Sequence, residues 1–164
     1  MQQQTLSSGS TRLAVRVYEA AGRGRASVVI GGAMGVRQDY YAAFAQWLAT
    51  QGFRVTTFDY RGSGESVPDT VHGGLRGFKA DLFDWARDYE AVIDAAKDAL
   101  PEAPLYLLGH SLGAQLPGLL GNQGRIAGMV SIAAGSGYWR DNAPQLKRTV
   151  LGSGSIKRLG ALPQ

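Results

Sequence analysis

The chain has 164 residues, about one domain's length, and its 45% hydrophobic and 18% charged residues suffice for a core and exclude compositional disorder. It contains no cysteine, which excludes disulfides, thiolate metal sites, thiol nucleophiles and Fe–S clusters and fits a reducing, cytoplasmic setting. The net charge of +4 comes entirely from the end of the chain, where Arg140, Lys147, Arg148, Lys157 and Arg158 face Asp141 alone; no aromatics interleave them, so the tail reads as a solvated end and no nucleic-acid partner is implied.

Residues 1–10, MQQQTLSSGS, are small and polar and read as a disordered start. They lack the basic and apolar regions of a secretory signal, and no stretch of the chain reaches the length of apolar residues that spans a membrane. Residues 11–18 alternate, with Leu13, Val15 and Val17 on one side, as in a half-buried strand. Residues 26–30, ASVVI, form a continuous apolar run that suits a strand buried on both faces. The spacing of Tyr40/Tyr41, Phe44 and Trp47/Leu48 predicts a helix over 39–50, capped by Asp39 and stopped by Gly52. FRVTTF at 53–58 is the next strand.

The clearest helix is predicted at 79–100, with an apolar stripe of Leu82, Trp85/Ala86, Tyr89, Val92/Ile93, Ala96 and Leu100. Its aspartates at 81, 84, 88, 94 and 98 read as a solvated face and not as a metal site. Residues 105–108 form a buried strand, 112–121 a short helix containing Pro117, and 126–133 another buried strand. From the second strand onward strands and helices alternate, which predicts a three-layer α/β fold with a mainly parallel sheet. Function in such sheets gathers at the carboxyl ends of the strands. Here those ends are Gly31–Gly35, Asp59–Ser66, Gly109–Gly113 and Ala134–Gly137, all rich in glycine and serine.

Gly109-His110-Ser111-Leu112-Gly113 matches G-x-S-x-G, directly after an apolar strand and before a helical segment. A nucleophile on so sharp a turn takes a strained backbone, and the flanking Gly109 and Gly113 leave room for the chain to double back. The turn presents Ser111 and puts the Leu112 N–H at a helix start, aimed at developing negative charge. A second oxyanion donor is sought in Gly31-Gly32-Ala33-Met34-Gly35. The Ala33 N–H is the candidate, with Met34 as the alternative.

These segments resemble the N-terminal part of an α/β-hydrolase fold serine hydrolase, close to the lipase-like, esterase-like and serine-aminopeptidase-like groups. VVIGGAMGV resembles the family's oxyanion loop, with Gly31 where a histidine usually stands. Phe58-Asp59-Tyr60-Arg61-Gly62-Ser63-Gly64-Glu65-Ser66 resembles its D-x-R-G-x-G-x-S turn, and GHSLG its nucleophile elbow. The resemblance implies that Ser111 is the nucleophile and that the backbone amides of Leu112 and Ala33 hold the oxyanion. It implies an architectural role for Asp59 and Arg61, and a packing role for His110, facing away from the reacting side of the serine.

A hydrolytic serine needs a base and an orienting acid, which the family supplies after the serine. Residues 112–164 contain no histidine; the two histidines, His72 and His110, both precede Ser111, and Asp141 is the only acid that follows it. The expectation is therefore a C-terminally incomplete hydrolase domain over 11–139, lacking late strands and cap, with a basic tail at 140–164. Its exposed sheet edge beside IAGMVSIA invites self-association. The expected reaction is attack on an ester or amide of a small molecule through an acyl-enzyme. No metal and no organic cofactor is implied, because dinucleotide and P-loop motifs are absent. Two rivals stay open: a catalytically inactive hydrolase-like binding module, and a nonfunctional fragment.

Overall fold

A computed structural model describes residues 1–67 and 78–136. Six strands form one sheet: β1 (Gln2–Ser8), β2 (Thr11–Tyr18), β3 (Ala26–Gly31), β4 (Phe53–Phe58), β5 (Leu105–His110) and β6 (Gly128–Ile132). Their order across the sheet is β1-β2-β4-β3-β5-β6. β1 and β2 run antiparallel to each other, and β2 runs antiparallel to β4. The pairings β4–β3, β3–β5 and β5–β6 are parallel. This is the mainly parallel α/β sheet that the alternation of elements predicts.

The first ten residues differ from expectation. They are not disordered but form β1, paired with β2 from Gln2↔Val17 to Ser8↔Thr11 around a tight turn at Gly9. Burial gave no sign of it, because β1 is exposed along most of its length; the ladder with β2 holds it, and only Leu6 packs on the core.

Helices cover both faces. On one face α1 (Ala42–Thr50) packs Ala45 and Ala49 with Tyr41 against Val28, Ile30 and Val55. On the other, α2 (Leu82–Ala99) lays Ala86, Tyr89, Val92, Ile93 and Ala96 over Leu13, Val29, Leu105 and Leu107.

Several boundaries move for local reasons. The first predicted helix begins as a 3-10 turn at Gln38–Tyr41, and Asp39 does not cap it; its carboxylate pairs with Arg16 and Arg37. The buried side of α1 is its small one, while Tyr40, Phe44 and Trp47 face outward. α2 begins at Leu82, where Asp81 and Asp84 close a reciprocal capping box. Asp88 is not solvated: it is fully buried against Arg61. After β5, α3 (Leu112–Gln115) is one turn long and passes into a 3-10 turn at Leu116–Leu119, which accommodates Pro117. β6, expected to be buried, is largely exposed, because it stands at one end of the sheet formed by the described residues.

Candidate active site

β5 delivers the elbow. Ser111 takes φ 52° and ψ −108°, a conformation that L-residues avoid and that costs about 1–3 kcal/mol. The turn is clamped from both sides: the Ser111 N–H donates to the Ile132 carbonyl of β6 at 2.9 Å, and the Gly113 N–H to the Gly32 carbonyl after β3 at 3.1 Å. Both elbow glycines are required by contact. A β-carbon at Gly109 would lie 2.5 Å from the Gly113 carbonyl oxygen, and one at Gly113 would run into the Gly31 carbonyl. Leu112 opens α3, so its N–H has no acceptor within the helix.

Gly31 is explained the same way. A β-carbon there would lie 2.5 Å from the Tyr89 hydroxyl, so the core tyrosine of α2 fills the space that a side chain at this position would need. Burial pushes that hydroxyl well above the ordinary phenol range, so it stays neutral.

The expected loop donor needs correction. The Ala33 N–H already donates to the Tyr41 hydroxyl at 2.9 Å, and a single N–H so engaged is not free for an oxyanion. The Tyr41 hydroxyl also lies 3.0 Å from His110 Nδ1, so the phenol can accept from Ala33 while donating to the ring. Burial raises the Tyr41 phenol above its usual range, partly offset by the Ala33 N–H. His110 thus packs edge-on against Tyr41, with ring centroids 6.1 Å apart, in a structural role. Met34, the alternative donor, is 63% exposed beside this knot. Sequence reasoning missed Tyr41 because its partners come from separate segments; its place in the aromatic helix pattern indicated packing only.

The D-x-R-G turn is architectural. The Asp59 carboxylate accepts from the Gln38 N–H at 2.8 Å, from Gln38 Nε2 at 3.2 Å and from the Glu65 N–H at 3.0 Å, tying the segment after β3 to the turn after β4. Arg61 binds Asp88 at 2.6 Å and Asp84 at 3.0 Å, and its bonds to Asp88 raise its pKa further. His72 and Asp141 lie outside the described residues, as does the basic tail. Among the described residues no group of three His, Asp or Glu could hold a metal ion, and no helix is long and apolar enough to cross a membrane.

A strained serine on a strand–turn–helix elbow, set in a parallel sheet between helical layers, defines the α/β-hydrolase architecture. Residues 22–156 match the family described as serine aminopeptidase, S33, and the chain belongs to this family of α/β-hydrolase-fold serine hydrolases. Over 75 residues, 46% of this chain and 17% of the relative, it is 32% identical to lysophosphatidylserine lipase ABHD12 of Gallus gallus. It is 29% identical over 105 residues to the monoacylglycerol lipase of Mycolicibacterium smegmatis, covering 64% of this chain and 35% of that protein. Among solved structures, it superposes on the monoglyceride lipase of Saccharomyces cerevisiae with a TM-score of 0.77 at 16% identity, over 97% of this chain and 53% of that one. The chain thus spans about half the length of that structure and a smaller share of both relatives.

Proposed function

We propose that this chain carries the nucleophile and oxyanion elements of a lipase- or esterase-type serine hydrolase. Ser111 Oγ gives up its proton and attacks the carbonyl carbon of a small-molecule ester, and the tetrahedral oxyanion forms against the Leu112 N–H and the Met34 N–H of the loop after β3. Collapse breaks the ester C–O bond and expels the alcohol, which carries the proton away, and water then hydrolyses the acyl-Ser111 ester to the free acid. The observation that carries this reading is the backbone of Ser111, held at φ 52° between two glycines that nothing larger could replace. The lipases among its relatives support the ester as substrate. His110 is engaged by Tyr41 and is therefore not put forward as the proton acceptor for Ser111.

The second reading is a hydrolase-like binding module without turnover. That His110, the one histidine among the described residues, is hydrogen-bonded to Tyr41 favours it.

A fluorophosphonate probe read by intact mass decides between them. The expected result is one adduct on the folded chain, lost in Ser111→Ala and after heat denaturation, and a His72→Ala variant shows whether that histidine is the base. A folded, soluble chain that takes no adduct would leave the binding module as the reading.

A further inference from the structure

A cavity of about 210 Å³ opens beside the elbow. Its walls are Leu112 and Met34 from the proposed oxyanion site, Tyr60, Phe78 and Trp85, and the turn at Arg61–Ser63. The aromatic walls are fixed. The Trp85 indole N–H donates to the Arg61 carbonyl at 3.3 Å, and the Tyr60 ring, itself buried, lies 6.3 Å from that indole. Phe78 packs against Gly62, which has φ +74°, and a β-carbon at Gly62 would run into the Phe78 ring. The turn glycine is therefore what makes room for one wall of the cavity.

Charge decides what the cavity accepts. Arg61 is the one ionisable group among these walls besides the buried Tyr60, and its guanidinium is occupied by Asp88 and Asp84. Asp84 is shared with Arg87, and Asp88 accepts four bonds from Arg61. Among the described residues no carboxylate lines the cavity, so a substrate ammonium placed there would lose water without gaining a counter-ion. Size gives the second limit. The cavity is smaller than the roughly 300–1,000 Å³ that holds a drug-sized ligand and somewhat larger than the roughly 150 Å³ that holds benzene, which suits a single short chain.

We propose that this cavity receives a short, uncharged acyl chain of the ester substrate and rejects an acyl group bearing a free α-amine. The proposal rests on the reading of Ser111 as nucleophile for its place in the reaction. It separates this chain's substrate from that of an aminopeptidase.

The test uses the full-length Ser111→Ala chain, so that binding is read without turnover. Methyl hexanoate and norleucine methyl ester differ by the α-ammonium alone. Each is titrated while the indole N–H resonance of Trp85, assigned with Trp85→Phe, is followed. Methyl hexanoate is expected to shift that resonance, and norleucine methyl ester to bind at least about tenfold more weakly. In a series of methyl esters, affinity rises about fourfold per added methylene from butanoate and levels off by decanoate. Gly62→Ala, which pushes Phe78 into the cavity, abolishes the shift.

Equal or tighter binding of the amine overturns the proposal, as does methyl hexanoate binding that leaves Trp85 unperturbed, or no binding at all. A Gly62→Ala chain that fails to fold leaves the ester pair on Ser111→Ala to decide. Failure of fluorophosphonate labelling concerns Ser111 and leaves these outcomes distinct.

Discussion

At the residue scale, the site depends on which backbone donors are free. Tyr41 holds the Ala33 N–H, and the same hydroxyl reaches His110 on β5, so one phenol links the loop after β3 to the elbow strand. Removing the hydroxyl in Tyr41→Phe deletes two hydrogen bonds and is expected to cost roughly 1–2 kcal/mol of stability, measured by urea denaturation. It also releases the Ala33 N–H, so fluorophosphonate labelling of Ser111 is expected to be maintained or accelerated relative to the native chain. A tenfold or greater loss of labelling in a folded Tyr41→Phe chain would instead make the hydroxyl part of the oxyanion site. The glycines and Ser111 were legible in the sequence because their spacing reports a backbone constraint, and only glycine satisfies it. Tyr41 and Asp88 were not. Their roles depend on Ala33, His110 and Arg61, partners that no local periodicity brings together.

At the element scale, α2 joins the core to the D-x-R-G turn. Its capping box and its bonds to Arg61 meet at Asp84, and the carboxyl is held below the usual aspartate range first by the Asp81 N–H, then by Arg87 and Arg61. A carboxyl whose folded pKa is depressed contributes stability above its unfolded value and loses it as pH falls through the folded value. Stability is therefore expected to fall as pH drops below the ordinary aspartate value of 3.8. Asp84→Asn removes part of that dependence, and urea midpoints at neutral and acid pH compare the two chains. An identical acid loss in the variant would show that Asp84 is not a contributor. The body of α2 was legible because its stripe of Tyr89, Val92, Ile93 and Ala96 repeats at helical spacing. Its aspartates were misread as a uniform polar face, since spacing alone does not show that Arg61 reaches back to bury Asp88. In α1 the large aromatics drew the reading, whereas close packing on the sheet selected Ala45 and Ala49.

At the scale of the whole molecule, the parallel sheet is unevenly covered. α1 covers the β2, β4 and β3 side of its face, while Tyr106, Val130 and Ile132 stand 39%, 56% and 45% exposed on β5 and β6. Parallel strands are ordinarily buried on both faces, so this is apolar surface of a kind that seeks cover. The alternation of elements made the parallel sheet legible, but not β1, which shows no apolar alternation. β6 carries no charge and no proline over Gly128–Ile132, so within the strand it lacks two of the devices that keep an edge from pairing. Edge-to-edge pairing of two copies through β6 is the expected consequence, with the exposed valine and isoleucine of each copy contributing to the contact. Sedimentation velocity across a wide concentration range is expected to show association that strengthens with concentration. Val130→Lys places a charge on the strand without touching the core or the elbow, and is expected to shift the chain toward monomer with its thermal midpoint little changed. A native chain that sediments as a monomer throughout would mean that β6 does not pair with itself and that the apolar face is tolerated in solution.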